Sequence, residues 1–110
     1  MSTLNLNPVH YTSIKDRILK VLEDVDLPVS TETIHYTEKI DSITIRKHIN
    51  HYKQQINSIP SIFIGHGKYY YLKSKINYIE YLKTSSWKQT KDFYLSILYY
   101  NASLIFNAPS

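Results

Sequence analysis

Thr44, Lys47, Asn50, His51 and Gln54 recur at steps of three, three, one and three. At about 100° per residue, that spacing gathers them on one side of a helix. Such a set can hydrogen-bond to the edges of nucleic-acid bases. Asn and Gln pair bidentately with adenine, and Lys and Arg favour guanine or phosphate. Arg46, Lys53 and Asn57 flank this face on one shoulder, and His48 and Gln55 on the other. Ser42 stands at its start, and no carboxylate interrupts it. A polar outer face is also what any surface helix shows, so the charge of the chain has to separate the two readings.

The net charge of +4 is unevenly spread. Residues 1–41 carry four Lys/Arg against seven Asp/Glu, whereas residues 42–110 carry nine against two. Between Asp41 and Glu80 there is no acidic residue. A field of one sign over half of a small domain attracts a polyanion. The basic half holds the polar helix face. It also holds Ile64-Gly65-His66-Gly67-Lys68, which contains both glycines of the chain. Glycine tolerates positive φ, and a Gly-x-Gly between the β-type runs 61–64 and 69–72 reads as a hairpin turn. His66 and Lys68 at its tip, with Lys73 and Lys75 just beyond, suit contact with phosphate and not base reading. The predicted DNA-binding set is therefore Ser42, Thr44, Arg46, Lys47, Asn50, His51, Lys53, Gln54, His66 and Lys68.

Other chemistry finds little support. His48 and His51 have a spacing that can chelate a metal, but a site needs three or four ligands. The nearest carboxylates, Glu38 and Asp41, precede that helix, and the chain has no cysteine. Neither a metal nor a cofactor is expected. No P-loop, nucleophile elbow, paired-carboxylate or zincin pattern occurs, so an enzyme is not expected either. The absence of cysteine also excludes a disulfide scaffold. No apolar run approaches the roughly 18 residues of a membrane span, and the first residues lack the layout of a secretion signal. The expectation is a soluble intracellular protein with no membrane partner.

The elements that must position these residues follow from caps and periodicity. Residues 1–11 read as an irregular arm. Thr12 or Ser13 caps a first helix, with Asp16 early and Ile14, Ile18, Val21, Leu22 and Val25 as its stripe. Asp26-Leu27-Pro28 ends it. Ser30 or Thr31 opens a short second helix with Ile34 inside, closing near Lys39-Ile40. Asp41 or Ser42 caps a third helix running to about Asn57, with Ile45, Ile49, Tyr52 and Ile56 towards the core. After the hairpin, Ile76, Ile79 and Leu82 mark a short amphipathic helix, and Thr84-Ser85-Ser86 a cap-rich break. A last helix runs from Trp87 to about Phe106. The fold class is mainly α with a small β-hairpin.

Three short helices followed by one hairpin resemble the winged helix-turn-helix superfamily over roughly residues 11–73, giving a domain at 12–73 and a C-terminal helical extension at 74–110. The segment from Ser42 to Ile49 is similar to the small-polar, apolar, Arg/Lys start of many recognition helices. Leu27-Pro28-Val29 and Phe63-Ile64-Gly65-His66-Gly67-Lys68-Tyr69 resemble the HARE type. That resemblance implies a double-stranded DNA partner and a small transcriptional regulator, with helix 42–57 in the major groove and the 61–72 hairpin as wing. The alternative it leaves open is a winged-helix protein–protein interaction module in a transcription or defence complex.

The last helix carries Phe93, Ile97, Tyr100 and Leu104 on one line, widened by Tyr94 and Leu98. A face that broad exceeds what one small domain covers. It predicts a homodimer through these six residues, since two-fold pairing is the commonest closed solution. The competing reading is a helix folded back onto its own core. Trp87, Phe93 and Tyr99-Tyr100 recur with Ile and Leu, which reads as packing and not as base stacking.

Overall fold

The computed structural model describes residues 13–53, 59–86 and 90–108. Helix α1 spans Ile14–Asp24 and starts where the Ser13 hydroxyl accepts the Asp16 amide at 3.0 Å. Ile18 and Leu22 are fully buried. Val25 is already extended, so the helix ends ahead of Pro28. The chain then forms a two-residue strand, β1 (Val29–Ser30). Ser30 also caps α2 (Thr31–Glu38), its hydroxyl accepting the Thr33 amide at 3.1 Å.

The turn between α2 and α3 (Ser42–Lys53) is fixed by three devices. Lys39 takes the left-handed conformation at φ 59°, ψ 40°. The His35 ring donates from Nδ1 to the Ile40 carbonyl at 2.7 Å. Asp41 Oδ2 accepts the amides of Ile43 and Thr44 at 3.1 and 3.2 Å, satisfying two of the free N–H groups at the start of α3. On α3, Ile45, Ile49 and Tyr52 are buried as the stripe requires. Ile56, and the expected run to Asn57, lie outside the described residues.

Strands β2 (Ser61–Ile64) and β3 (Gly67–Tyr70) pair antiparallel, with Ile64 opposite Gly67. The loop is thus two residues, Gly65 and His66. The second strand starts at Gly67 and not at Tyr69, because a two-residue loop matches strand twist best. Gly65 has φ +61° and His66 has no positive φ, the pattern of a type II′ turn. Strand β1 adds to the other edge of β3, through Val29 opposite Tyr70 and Ser30 opposite Tyr69, giving the order β1-β3-β2. The molecule is therefore mainly helical with a small three-stranded antiparallel sheet.

Side chains alternate across a sheet, and here both faces are covered. Tyr70 packs into a core built from Ile18, Leu22, Ile34, Ile45 and Ile49. Ile62, Ile64, Tyr69 and Tyr71 face the opposite way, against Ile79, Phe93 and Ile97. The last two come from α5 (Thr90–Phe106), and Ile79 from α4 (Ile76–Tyr81). A 3₁₀ turn at Lys73–Lys75 leads into α4.

Three features of this packing bear on the expectations. First, the line expected to face a second copy turns inwards. Phe93 and Ile97 have no exposed surface, Tyr100 and Leu104 pack on the helical core, and Tyr94 is half-buried. Phe93 and Ile97 are covered by the sheet that β1 enlarges. Of the six predicted dimer residues, Leu98 alone is classed as exposed. Second, α4 and α5 pack against the sheet, and α5 also against the helical core, through Ile79, Phe93, Ile97, Tyr100 and Leu104. Third, Thr84-Ser85-Ser86 is itself helical, and residues 87–89 after it lie outside the described residues. A π-helical turn at Leu82–Ser86 continues α4, and the Thr84 hydroxyl bonds back to the Glu80 carbonyl at 2.9 Å instead of capping a new helix.

Candidate nucleic-acid interface

The outer face of α3, the first turn of α2 and the hairpin enclose an open cleft of about 540 Å³. Arg46 and Asn50 line it from α3, His66, Gly67, Lys68, Tyr69 and Tyr70 from the hairpin, and Ser30, Thr31 and Glu32 from the start of α2. Four residues predicted from separate stretches of sequence, Arg46, Asn50, His66 and Lys68, thus meet on one surface. Arg46, Asn50 and His66 are exposed and Lys68 is half-buried.

Lys68 is held in place. Its ammonium lies 5.3 Å from the Phe63 ring centroid and 5.6 Å from that of Tyr70. Phe63 is its cross-strand partner, so sheet register sets one contact and the alternation of β3 sets the other. Cation–π attraction fixes the stem while the charge stays at the mouth of the cleft. The Tyr69 phenol is pushed above its ordinary value of 10.0, by burial first and by the Glu32 carboxylate second. It therefore remains a neutral hydroxyl, able to donate or accept, at neutral pH.

The remaining predicted residues lie elsewhere on α3. Lys47 and His51 are exposed but lie outside the cleft. Thr44 is half-buried, and its carbonyl bonds the His48 ring at 2.9 Å. Ser42 is half-buried at the helix start. Lys53 closes α3, and Gln54 lies outside the described residues. Lys75, expected near the ligand side of the hairpin, is engaged elsewhere. Its ammonium donates to the carbonyls of Leu22, Glu23 and Val25 and neutralises the negative end of α1.

Two features escape a reading of α3 alone. One is Glu32, a carboxylate in the cleft that the acid-free face of α3 lines. It comes from α2, which the pairing of β1 with β3 brings beside the hairpin. The other is Asn101 on α5, which is buried and fully hydrogen-bonded. Its Oδ1 accepts the Ser30 amide at 3.1 Å and the Thr33 hydroxyl at 2.6 Å. Its Nδ2 donates to the Pro28 and Ile97 carbonyls at 2.9 and 2.8 Å. This side chain ties the C-terminal helix to the strand and cap that form one wall of the cleft.

Among the described residues, no group of three or more His, Asp or Glu side chains is placed to hold a metal. No helix there is long and apolar enough to cross a membrane. Comparison with protein-family models, curated proteins and solved structures finds no match.

Proposed function

We propose that this chain is a duplex-DNA-binding protein of winged-helix type, acting as a small transcriptional regulator. In this reading α3 enters the major groove and the β2–β3 hairpin is the wing. The observation that carries it is the meeting of Arg46, Asn50, His66 and Lys68 around one open cleft. Arg46 and Lys68 bracket a backbone phosphate, and Asn50 reaches a base edge. Glu32 partly offsets the two cations, so binding by the cleft alone is modest, and Lys47 on the outer face adds to it.

The test is fluorescence anisotropy with random-sequence duplex at several salt concentrations. Neutralising about three to five phosphates gives a log K against log salt slope of about −0.9 per phosphate. Lys47→Ala or Lys68→Ala flattens the slope by about one phosphate. Asn50→Ala lowers affinity for a selected site by about 1–3 kcal/mol and leaves random duplex nearly unaffected. No binding at low salt refutes the reading.

The second reading is a protein-interaction module of the same fold. Glu32 in the cleft and Phe63, 64% exposed beside it, favour this alternative. A polyanion gains nothing from the carboxylate, whereas a protein surface can pair with both.

A further inference from the structure

We propose that Ile43 is a specificity-determining residue that reads the C5-methyl group of thymine. This rests on the DNA-binding reading of α3. Ile43 is 60% exposed in the first turn of that helix. An exposed isoleucine by itself is ordinary, but its position here is particular. It lies about 160° around the helix from the buried Ile45, about 20° from Asn50, 40° from Lys47 and 60° from Arg46. It is thus an apolar side chain at the centre of a polar and basic face. It also stands in the N-terminal part of the helix, the part that meets base edges when such a helix docks.

The side chain is also preorganised. Its amide is bonded to Asp41 Oδ2, which fixes the first turn. A β-branched residue in a helix holds one strongly preferred χ1 rotamer, so its methyl groups point in a set direction before binding. In the major groove the complementary apolar feature is the thymine methyl, which the other bases lack. Asn50 lies seven residues on along nearly the same line, about 10 Å further along the axis, and its natural partner is adenine. The face as a whole then selects A·T pairs about three steps apart, with Lys47 and Arg46 left to phosphate.

The experiment uses the full chain and two 20-base-pair duplexes of alternating A·T sequence, one with thymine and one with deoxyuridine at every thymine position. Every register presents the methyl in the first and none does in the second. Burying one methyl gives about a fourfold preference for the thymine duplex at equal salt. Ile43→Ala brings that ratio to one while keeping the salt slope, and Ile43→Val retains most of it. Both variants sit on an exposed helix position, and circular dichroism checks that they fold. A wild-type ratio of one overturns the assignment, as does a ratio that survives in Ile43→Ala. Failure to bind either duplex at low salt overturns the DNA reading, and the assignment with it.

Discussion

Asn101 gives the most demanding test of how the cleft is built. Replacing it with Leu keeps the volume roughly constant and removes all four hydrogen bonds. Thr33 Oγ1 keeps a partner, because the Ser30 hydroxyl lies 2.9 Å away. The Ile97 carbonyl lies within α5, where the helical backbone pattern supplies it with a donor. The Ser30 amide and the Pro28 carbonyl each lose the side-chain bond that Asn101 supplies. Each buried backbone group left unpaired costs about 1–3 kcal/mol. The added apolar burial of Leu returns about 1 kcal/mol, so the net loss is about 1–5 kcal/mol. For a chain of 110 residues, at about 2.1 cal/mol/K of unfolding entropy per residue, that is a fall in Tm of about 4–22 °C. Asn101→Asp should be at least as damaging, since it turns a carboxylate oxygen towards the Pro28 and Ile97 carbonyls. The assay is thermal and urea denaturation followed by circular dichroism. A loss below about 0.5 kcal/mol for Asn101→Leu, the size of an ordinary surface change, would refute the account of Asn101 as the tie between α5 and the wall of the cleft.

Lys39→Gly should raise stability by about 0.5–1 kcal/mol in urea denaturation, because a non-glycine residue at φ 59° is strained by more than the flexibility glycine adds to the unfolded chain. Gly65→Val should cost about 1–3 kcal/mol in the same assay, since φ +61° suits no β-branched side chain. Burial raises the phenols of Tyr52, Tyr69 and Tyr71 above 10.0, with Asp16, Glu32 and Glu80 adding to it respectively. The unfolded chain then loses these protons first, so their contribution is complete below about pH 10 and falls as pH rises through the raised folded values. A Tm series from pH 8 to 11 should show that decline, shallower in Tyr52→Phe. Ile97→Asp should leave no cooperative thermal transition, because it places a charge at a site with no exposure, whereas Tyr99→Ser, at a residue 71% exposed, should melt within about 0.5 kcal/mol of the parent.

Local chemistry made the first three helices and the hairpin legible. Ser13, Ser30 and Asp41 are short polar residues directly ahead of apolar stripes, and each caps the helix it precedes. The steps from Ile45 to Ile49 to Tyr52 named the buried side of α3, and the two glycines located the hairpin. What stayed hidden depends on contacts between distant segments. A strand of two residues has no period to detect, so β1 was not placed, and with it went the proximity of Glu32 to the hairpin. Helix α5 is apolar on nearly every side, so periodicity could not tell the covered face from the open one. Asn101 looks like any polar residue on such a helix until Pro28, Ser30 and Thr33 are brought to it. Lys75 looked like one more surface cation, and only the fold shows it at the end of α1.

These hidden contacts bear on the site itself. In a sheet with one free face, a short hairpin is held by its strand pairing and by packing on one side. Here Phe93 and Ile97 press on the second face through Ile62, Ile64 and Tyr69, while Tyr70 anchors the first. The hairpin is clamped, and Lys68 is clamped with it by the two rings beneath its ammonium. The other wall of the cleft is set by the Ser30 cap, which Asn101 holds from the same helix that supplies Phe93 and Ile97. One helix, remote from the cleft in sequence, therefore fixes two of its three sides, the hairpin and the start of α2. A preorganised cleft loses less entropy on binding than one that must close, so in the proposed DNA-binding reading residues 93–101 contribute to the affinity of Lys68. The inward line of α5 is thus engaged within the chain. Phe93 and Ile97 on that line brace the cleft, and Leu95, Leu98 and Tyr99 are what the helix presents outwards.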